Sequence, residues 1–201
     1  MRITLIDAGK RFNRDWIFRH LSYEFTQGHT YAITGPNGSG KSTLLQAIAG
    51  AIGISEGAAR YDDIPPDQVY QHIALAAPYV DLIEEMTATE FLQFHAAFKP
   101  FLPDHPIRDI LRQVGLEAAA AKQIRYYSSG MRQRLKLAQA LFSDVPVLLL
   151  DEPCTNLDAE GIEGYRQLVA RLGRQRIVIV SSNDRQEYDF CENVLSILDY
   201  K

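Results

Sequence analysis

Ile3, Leu5 and Phe25 fall on an alternating strand pattern, and the polar turns Gly9-Lys10-Arg11 and Gln27-Gly28 divide that opening region into two or three antiparallel strands. The apolar run Tyr31-Ala32-Ile33 predicts a further strand, and Leu44-Leu45-Gln46-Ala47-Ile48-Ala49 predicts a helix shortly after it. Gly50 to Gly57 reads as the helix exit. Ala59-Arg60-Tyr61, a turn at Asp62-Asp63 and the breaker Pro65-Pro66 then suggest a small hairpin insertion. Ile73-Ala74-Leu75-Ala76-Ala77 predicts another buried strand, stopped by Pro78.

From there the period changes. Thr87-Ala88-Thr89-Glu90 has the spacing of a capping box and opens an aromatic-rich helix through Phe91, Phe94 and Phe98, whose rings are expected mostly in the core. A proline-punctuated loop over residues 99–106 separates it from a helix over Ile107 to Val114, closed by Gly115. Ala118 to Gln123 predicts a short third helix. No strand pattern occurs in this region, so it reads as a helical insertion, about residues 87–130, in an α/β core. Tyr127 to Arg134 opens a helix through Leu135, Ala138 and Leu141, and Val147-Leu148-Leu149-Leu150 is a buried strand. A helix from Ile162 to Leu172 ends at Gly173, Ile177 to Val180 is the last buried core strand, and Val194 to Leu198 adds a final one.

With 201 residues, 46% of them hydrophobic, the chain can bury one good core, so a single unit is expected. A net charge of −4 argues against a surface built to bind nucleic acid. Cys154 and Cys191 lie far apart without metal-type spacing, which suits free thiols in the cytoplasm. No apolar run approaches the roughly 18 residues that cross a bilayer, and the start lacks a signal-peptide pattern.

The chemistry begins at Gly35-Pro36-Asn37-Gly38-Ser39-Gly40-Lys41-Ser42-Thr43, placed between strand and helix. Three glycines let the backbone wrap a polyphosphate so that N–H groups and the positive end of the helix point at the anion. Lys41 adds a charge for the outer phosphates, and Ser42 offers a hydroxyl to magnesium. The stretch therefore predicts a nucleoside triphosphate site. Ser128-Ser129-Gly130 at a helix start makes a second anion site, and the strand ending Asp151-Glu152 delivers two carboxylates to a sheet edge. Adjacent carboxylates need separate tasks: Asp151 fits the metal side beside Ser42, and Glu152 fits a base or orienter for attacking water. Phe12 and Trp16 each offer a flat face for an adenine ring.

Taken in order, these motifs resemble the ATP-binding subunits of ABC transporters over essentially the whole chain. Residues 35–43 match Walker A, Asp151-Glu152 matches Walker B, Ser128-Ser129-Gly130-Met131 stands at the signature, and Thr155-Asn156-Leu157-Asp158 resembles the D-loop. The resemblance implies a P-loop NTPase core with a small antiparallel β subdomain and an inserted helical subdomain, and ATP with Mg2+ as cofactors. It implies head-to-tail pairing, with itself or a related chain, in which Ser128, Ser129 and Gly130 act on the partner's γ-phosphate. A separate transmembrane permease subunit would then hold the chain at the inner face of the cell membrane. It also favours Phe12 over Trp16 for the adenine. The chain ends soon after its last core strand, which suits a compact subunit without an added regulatory domain.

Three departures stand out. The signature reads Tyr-Ser-Ser-Gly-Met; the loop after Ile73 to Ala77 has Pro78-Tyr79-Val80 where the family carries a glutamine; and Asn183 stands at the switch histidine. Asparagine can donate a hydrogen bond to a γ-phosphate but cannot carry charge. With Glu152 kept, slow hydrolysis in isolation is expected. The rival readings are a soluble ABC-type ATPase that remodels a cytoplasmic assembly, a P-loop kinase, which leaves the serine-glycine helix start unexplained, and a regulatory ATP-binding module, which Glu152 opposes.

Overall fold

The computed structural model describes residues 1–62 and 64–201, and Asp63 of the expected turn lies outside the described residues. Two compact units divide the chain. The first comprises Met1–Leu75, Val145–Asp151 and Gly173–Lys201, and the second Ala76–Asp144 and Glu152–Leu172.

The first unit holds two sheets. Strands β1 (Arg2–Phe12), β2 (Asp15–Thr26) and β4 (Glu56–Arg60) form an antiparallel sheet in the order β2-β1-β4. Strands β3 (Thr30–Thr34), β5 (Ile73–Ala76), β6 (Val147–Asp151), β7 (Ile177–Ser181) and β8 (Asn193–Ser196) form the second, in the order β5-β6-β7-β3-β8, with β6-β7-β3-β8 parallel. Helix α1 (Lys41–Ile48) packs against β6 and β7, and its Leu44, Leu45 and Ile48 share one core with Ile33, Leu149 and Ile179 of the sheet and Ile3, Phe18 and Phe25 of the antiparallel strands. Tyr61 closes the far end of α1: its hydroxyl donates to the Ile48 carbonyl at 2.9 Å, and burial pushes its pKa up to about 12.

Helices α2 (Ala88–Phe98), α3 (Ile107–Gln113), α4 (Ser129–Phe142) and α5 (Ala159–Leu172) build the second unit. Thr87 closes the expected capping box on α2: its Oγ1 accepts from the Glu90 N–H at 3.2 Å, and the Glu90 carboxylate accepts from the Thr87 N–H at 2.8 Å. A closed polar ring joins α2 to α4. Gln139 Nε2 donates to His95 Nδ1 at 3.0 Å, His95 Nε2 lies 2.9 Å from Ser143 Oγ, and that hydroxyl donates to the Gln139 carbonyl at 2.7 Å. Burial, with Lys99 nearby, lowers the His95 pKa to about 4, so the ring is neutral.

Five expectations change. The segment Gly9-Lys10-Arg11 is strand, not turn: β1 runs through it with shifted register, and Gly9 is needed because a Cβ there would sit 3.0 Å from the Trp16 ring. The turn falls instead at Asn13-Arg14, with Asn13 at φ 54°. Among the described residues the expected hairpin insertion does not form: β4 pairs with distant β1, Thr4 opposite Arg60, rather than with a local neighbour. Ala118 to Gln123 is too short to nucleate an α-helix: a 3-10 turn at Glu117–Ala119 overlaps its start and another at Ile124–Tyr126 follows it. Of the three phenylalanines on α2 only Phe91 is buried; Phe94 and Phe98 are exposed, the latter by 74%, and cover one another edge to face. The final strand stops at Ser196, whose Oγ accepts from the Leu198 N–H and turns Ile197–Tyr200 into a 3-10 turn.

Candidate nucleotide site

The phosphate loop leaves the carboxyl end of β3 and closes on α1. Gly35, Gly38 and Gly40 have φ of 149°, 74° and 97°, conformations that favour glycine. Gly40 is the most constrained, since a Cβ there would lie 2.3 Å from Ile17 Cγ2 of β2. A Cβ on Gly35 would meet Ser39 Oγ at 2.7 Å and Ile197 Cγ2 at 2.9 Å, so the 3-10 turn after β8 is the floor of the loop. Lys201 fastens that floor: its Nζ donates to the Ser39 carbonyl at 2.6 Å and to the Ile17 carbonyl at 2.8 Å. Sequence reasoning missed Ile17, Ile197 and Lys201, because only the folded sheet brings β2 and the chain's last turn to the loop.

Lys41 is 4% exposed, and its ammonium donates to the Gly35 carbonyl at 2.9 Å and the Pro36 carbonyl at 3.2 Å. Pro36, Asn37 and Gly38 are exposed at the loop tip, and Ser42 and Thr43 are half-buried in the first turn of α1. Phe12, the last residue of β1, is 48% exposed, with Lys10 Nζ 4.9 Å from its ring centroid. Trp16 is instead covered by the guanidinium groups of Arg11 and Arg19, at 5.5 Å and 4.5 Å, leaving Phe12 as the more open face.

Asp151 ends β6 and is 1% exposed, with Oδ1 making no hydrogen bond. Ser39 Oγ is buried and equally without a partner. Among the described residues no cluster of three His, Cys, Asp or Glu side chains could hold a metal by itself. A hard cation held by one carboxylate, the Ser42 hydroxyl, phosphate oxygens and water fits such a donor set, and the unpaired Asp151 oxygen is the observation that supports it. Asn183 follows β7 and is exposed, above a turn in which Ser182 Oγ accepts from the Asp184 N–H at 2.9 Å.

Glu152 belongs to the second unit. It is half-buried and turns out of the strand at φ 44°, a left-handed conformation that costs an acidic side chain on the order of 1 kcal/mol. In the same unit Ser128 is the N-cap of α4, its Oγ accepting from the Met131 N–H at 3.2 Å, and Ser129 is exposed beside it. Gly130 is fixed by space: a Cβ would meet the Asn156 carbonyl at 2.9 Å. Arg134 pairs with Asp158 at 2.9 Å, Asp158 also accepts from the Gly161 N–H, and these bonds hold the Asp158 carboxyl below its usual range. The segment from Asn156 to Asp158 and the start of α4 thus line one open cavity of about 330 Å³. Buried Gln133 donates to the Pro153 carbonyl at 2.7 Å and ties α4 to the residues after Glu152. Where the family glutamine is missing, Lys136 Nζ donates to the Pro78 carbonyl at 2.8 Å. Burial, chiefly, lowers the Lys136 pKa.

A mainly parallel sheet with a glycine-rich phosphate loop closing on α1, joined to an antiparallel sheet and helices, is a P-loop NTPase fold. The sequence pattern of one family, the ABC transporters, matches residues 18–155. An ABC transporter ATP-binding protein of Bacillus subtilis, NatA, is 31% identical over 97% of this chain and 85% of its own length. A second protein of that organism, the uncharacterized ABC transporter ATP-binding protein YybJ, is 29% identical over 92% and 86%. The chain spans 63% and 66% of two further relatives. The dimeric structure of a bacterial ABC transporter cassette superposes with a TM-score of 0.84 at 25% identity, over 97% of this chain and 94% of that one. The chain belongs to the ABC transporter family, as an ABC ATPase nucleotide-binding domain. Among the described residues no helix is long and apolar enough to cross a membrane.

Proposed function

We propose that the chain works as one ATP-binding and ATP-hydrolysing domain that powers a transporter, closing head to tail with a second copy or a related chain against a separate membrane subunit at the inner face of the membrane. What carries this reading is a pair of anion-ready backbone sites with different finishing. The phosphate loop has its own lysine and, at the end of β6 in the same unit, a carboxylate with an unpaired oxygen, whereas the start of α4 has the exposed Ser128 and Ser129 beside an open cavity but, at its end of the helix, no lysine. Each is half of what a triphosphate needs, which suits ATP held between two copies.

In that arrangement the backbone of residues 35–43 cradles the phosphates, Lys41 neutralises the outer ones, and Phe12 stacks on the adenine. Ser42 and Asp151 would hold magnesium, which when bound offsets negative charge on the phosphates. Glu152 orients the attacking water and takes its proton, Asn183 donates a hydrogen bond to the γ-phosphate, and Ser128, Ser129 and Gly130 donate to the γ-phosphate of the partner's ATP. The test is ATP hydrolysis by the purified chain over a range of concentrations, with Glu152→Gln alongside. A rate per molecule that rises with concentration and falls at least 100-fold in the variant supports the reading, and one that is flat with concentration, or untouched by the substitution, refutes it.

A further inference from the structure

In the parallel sheet β7 lies between β6, which ends in Asp151, and β3, which leads into the phosphate loop. The register sets Ser181, the last residue of β7, beside Asp151 on one side and Ile33 on the other. Residues in register on neighbouring strands project from the same face, with Cβ atoms about 5 Å apart. That face is marked two residues earlier, where Leu149 and Ile179 join Leu44 and Ile48 of α1 in the core. Asp151 and Ser181 continue the same alternation, so both face the side of the sheet that carries α1 and the loop.

Ser181 is fully buried, and neither its Oγ nor Asp151 Oδ1 has a hydrogen-bond partner. A buried polar atom left unpaired costs about 1–3 kcal/mol. Valine would fit the strand without that cost, as it does at Val178 and Val180 of β7. We propose that Ser181 is a positioning residue for the metal-nucleotide complex: its hydroxyl, beside the Asp151 carboxylate, bonds the hydration shell of the divalent cation that accompanies ATP. The inference rests on the reading of Asp151 as the metal-side carboxylate. It also supplies a polar group on the metal side in a chain whose loop at Pro78-Tyr79-Val80 has no glutamine.

The test is Mn2+ binding to the full chain in the presence of the non-hydrolysable analogue AMP-PNP, followed by electron paramagnetic resonance, in Ser181→Ala, Ser181→Thr and Asp151→Asn. Outer-shell partners of a metal site typically contribute 10–100-fold in affinity, so Ser181→Ala is expected to weaken Mn2+ binding about tenfold. AMP-PNP affinity in EDTA should not move, and Ser181→Thr, which keeps the hydroxyl, should restore the metal affinity. Unchanged Mn2+ affinity in Ser181→Ala alongside a loss in Asp151→Asn overturns the role of Ser181 alone. Unchanged affinity in both overturns the metal reading of Asp151 as well. Equal weakening in the alanine and threonine variants makes shape, not the hydroxyl, responsible, and the inference falls.

Discussion

Gly40 shows how little freedom the phosphate loop has. Its φ of 97° and the 2.3 Å approach to Ile17 together leave no room for a methyl group. Gly40→Ala is therefore expected to lower ATP affinity at least tenfold and to destabilise the chain by a few kcal/mol, read by nucleotide titration and thermal unfolding. Asn183 is exposed, so Asn183→His should fold normally and leave the hydrolysis rate equal or higher. A large drop would give the asparagine a task of its own. The loop, Lys41 and the Asp-Glu pair were legible in the sequence because each is a short run whose chemistry depends on adjacency. The turn of Glu152 through a left-handed conformation was not, since neighbouring carboxylates in a strand point to opposite faces and composition does not say where the chain leaves the sheet. Ser181 is legible as the end of a buried strand at the same sheet edge, but not its full burial, which is set by the strands on either side.

Elements were read well where a local signal closed on itself. The capping box at Thr87 and the buried runs of β3, β6 and β7 are of that kind. They were misread where a distant partner decided, as in β4, which joins β1 across more than fifty residues, and in the bulged passage of β1 under Trp16. The junction of α2 and α4 gives a pH test. His95 binds its proton less tightly folded, at about 4, than at its ordinary 6.5. As pH falls, the unfolded chain takes up the proton first, so this contribution is whole above about 7 and is lost between 6.5 and 4, on the order of 2 kcal/mol after allowance for partial exposure. Denaturant unfolding at pH 7.5 and pH 5 should show a larger loss for the native chain than for His95→Gln, and equal losses would remove His95 as the cause.

At the scale of the whole molecule, the sequence reads as a single unit with a helical insertion about residues 87–130, whereas the contacts divide the chain into two compact units. The membership of each unit was less visible, because the second unit takes its last helix from beyond Asp151 and the first resumes at Gly173. The proposed pairing between copies predicts a further dependence. A mixture of native chain with excess Glu152→Gln should hydrolyse ATP more slowly than its native fraction alone would, since mixed pairs form. A rate that follows only the amount of native chain would mean that each copy acts alone.

Lys41 donates hydrogen bonds to the Gly35 and Pro36 carbonyls, so the loop's own backbone solvates its cation. On the proposed nucleotide role, filling the site is an exchange, in which phosphate oxygens displace carbonyl oxygens, rather than the occupation of a bare charge. On that reading a nucleotide with a single phosphate lacks the outer phosphates that Lys41 serves and leaves the exchange undone. The heat of binding should therefore separate ATP and ADP from AMP more sharply than a count of their charges would.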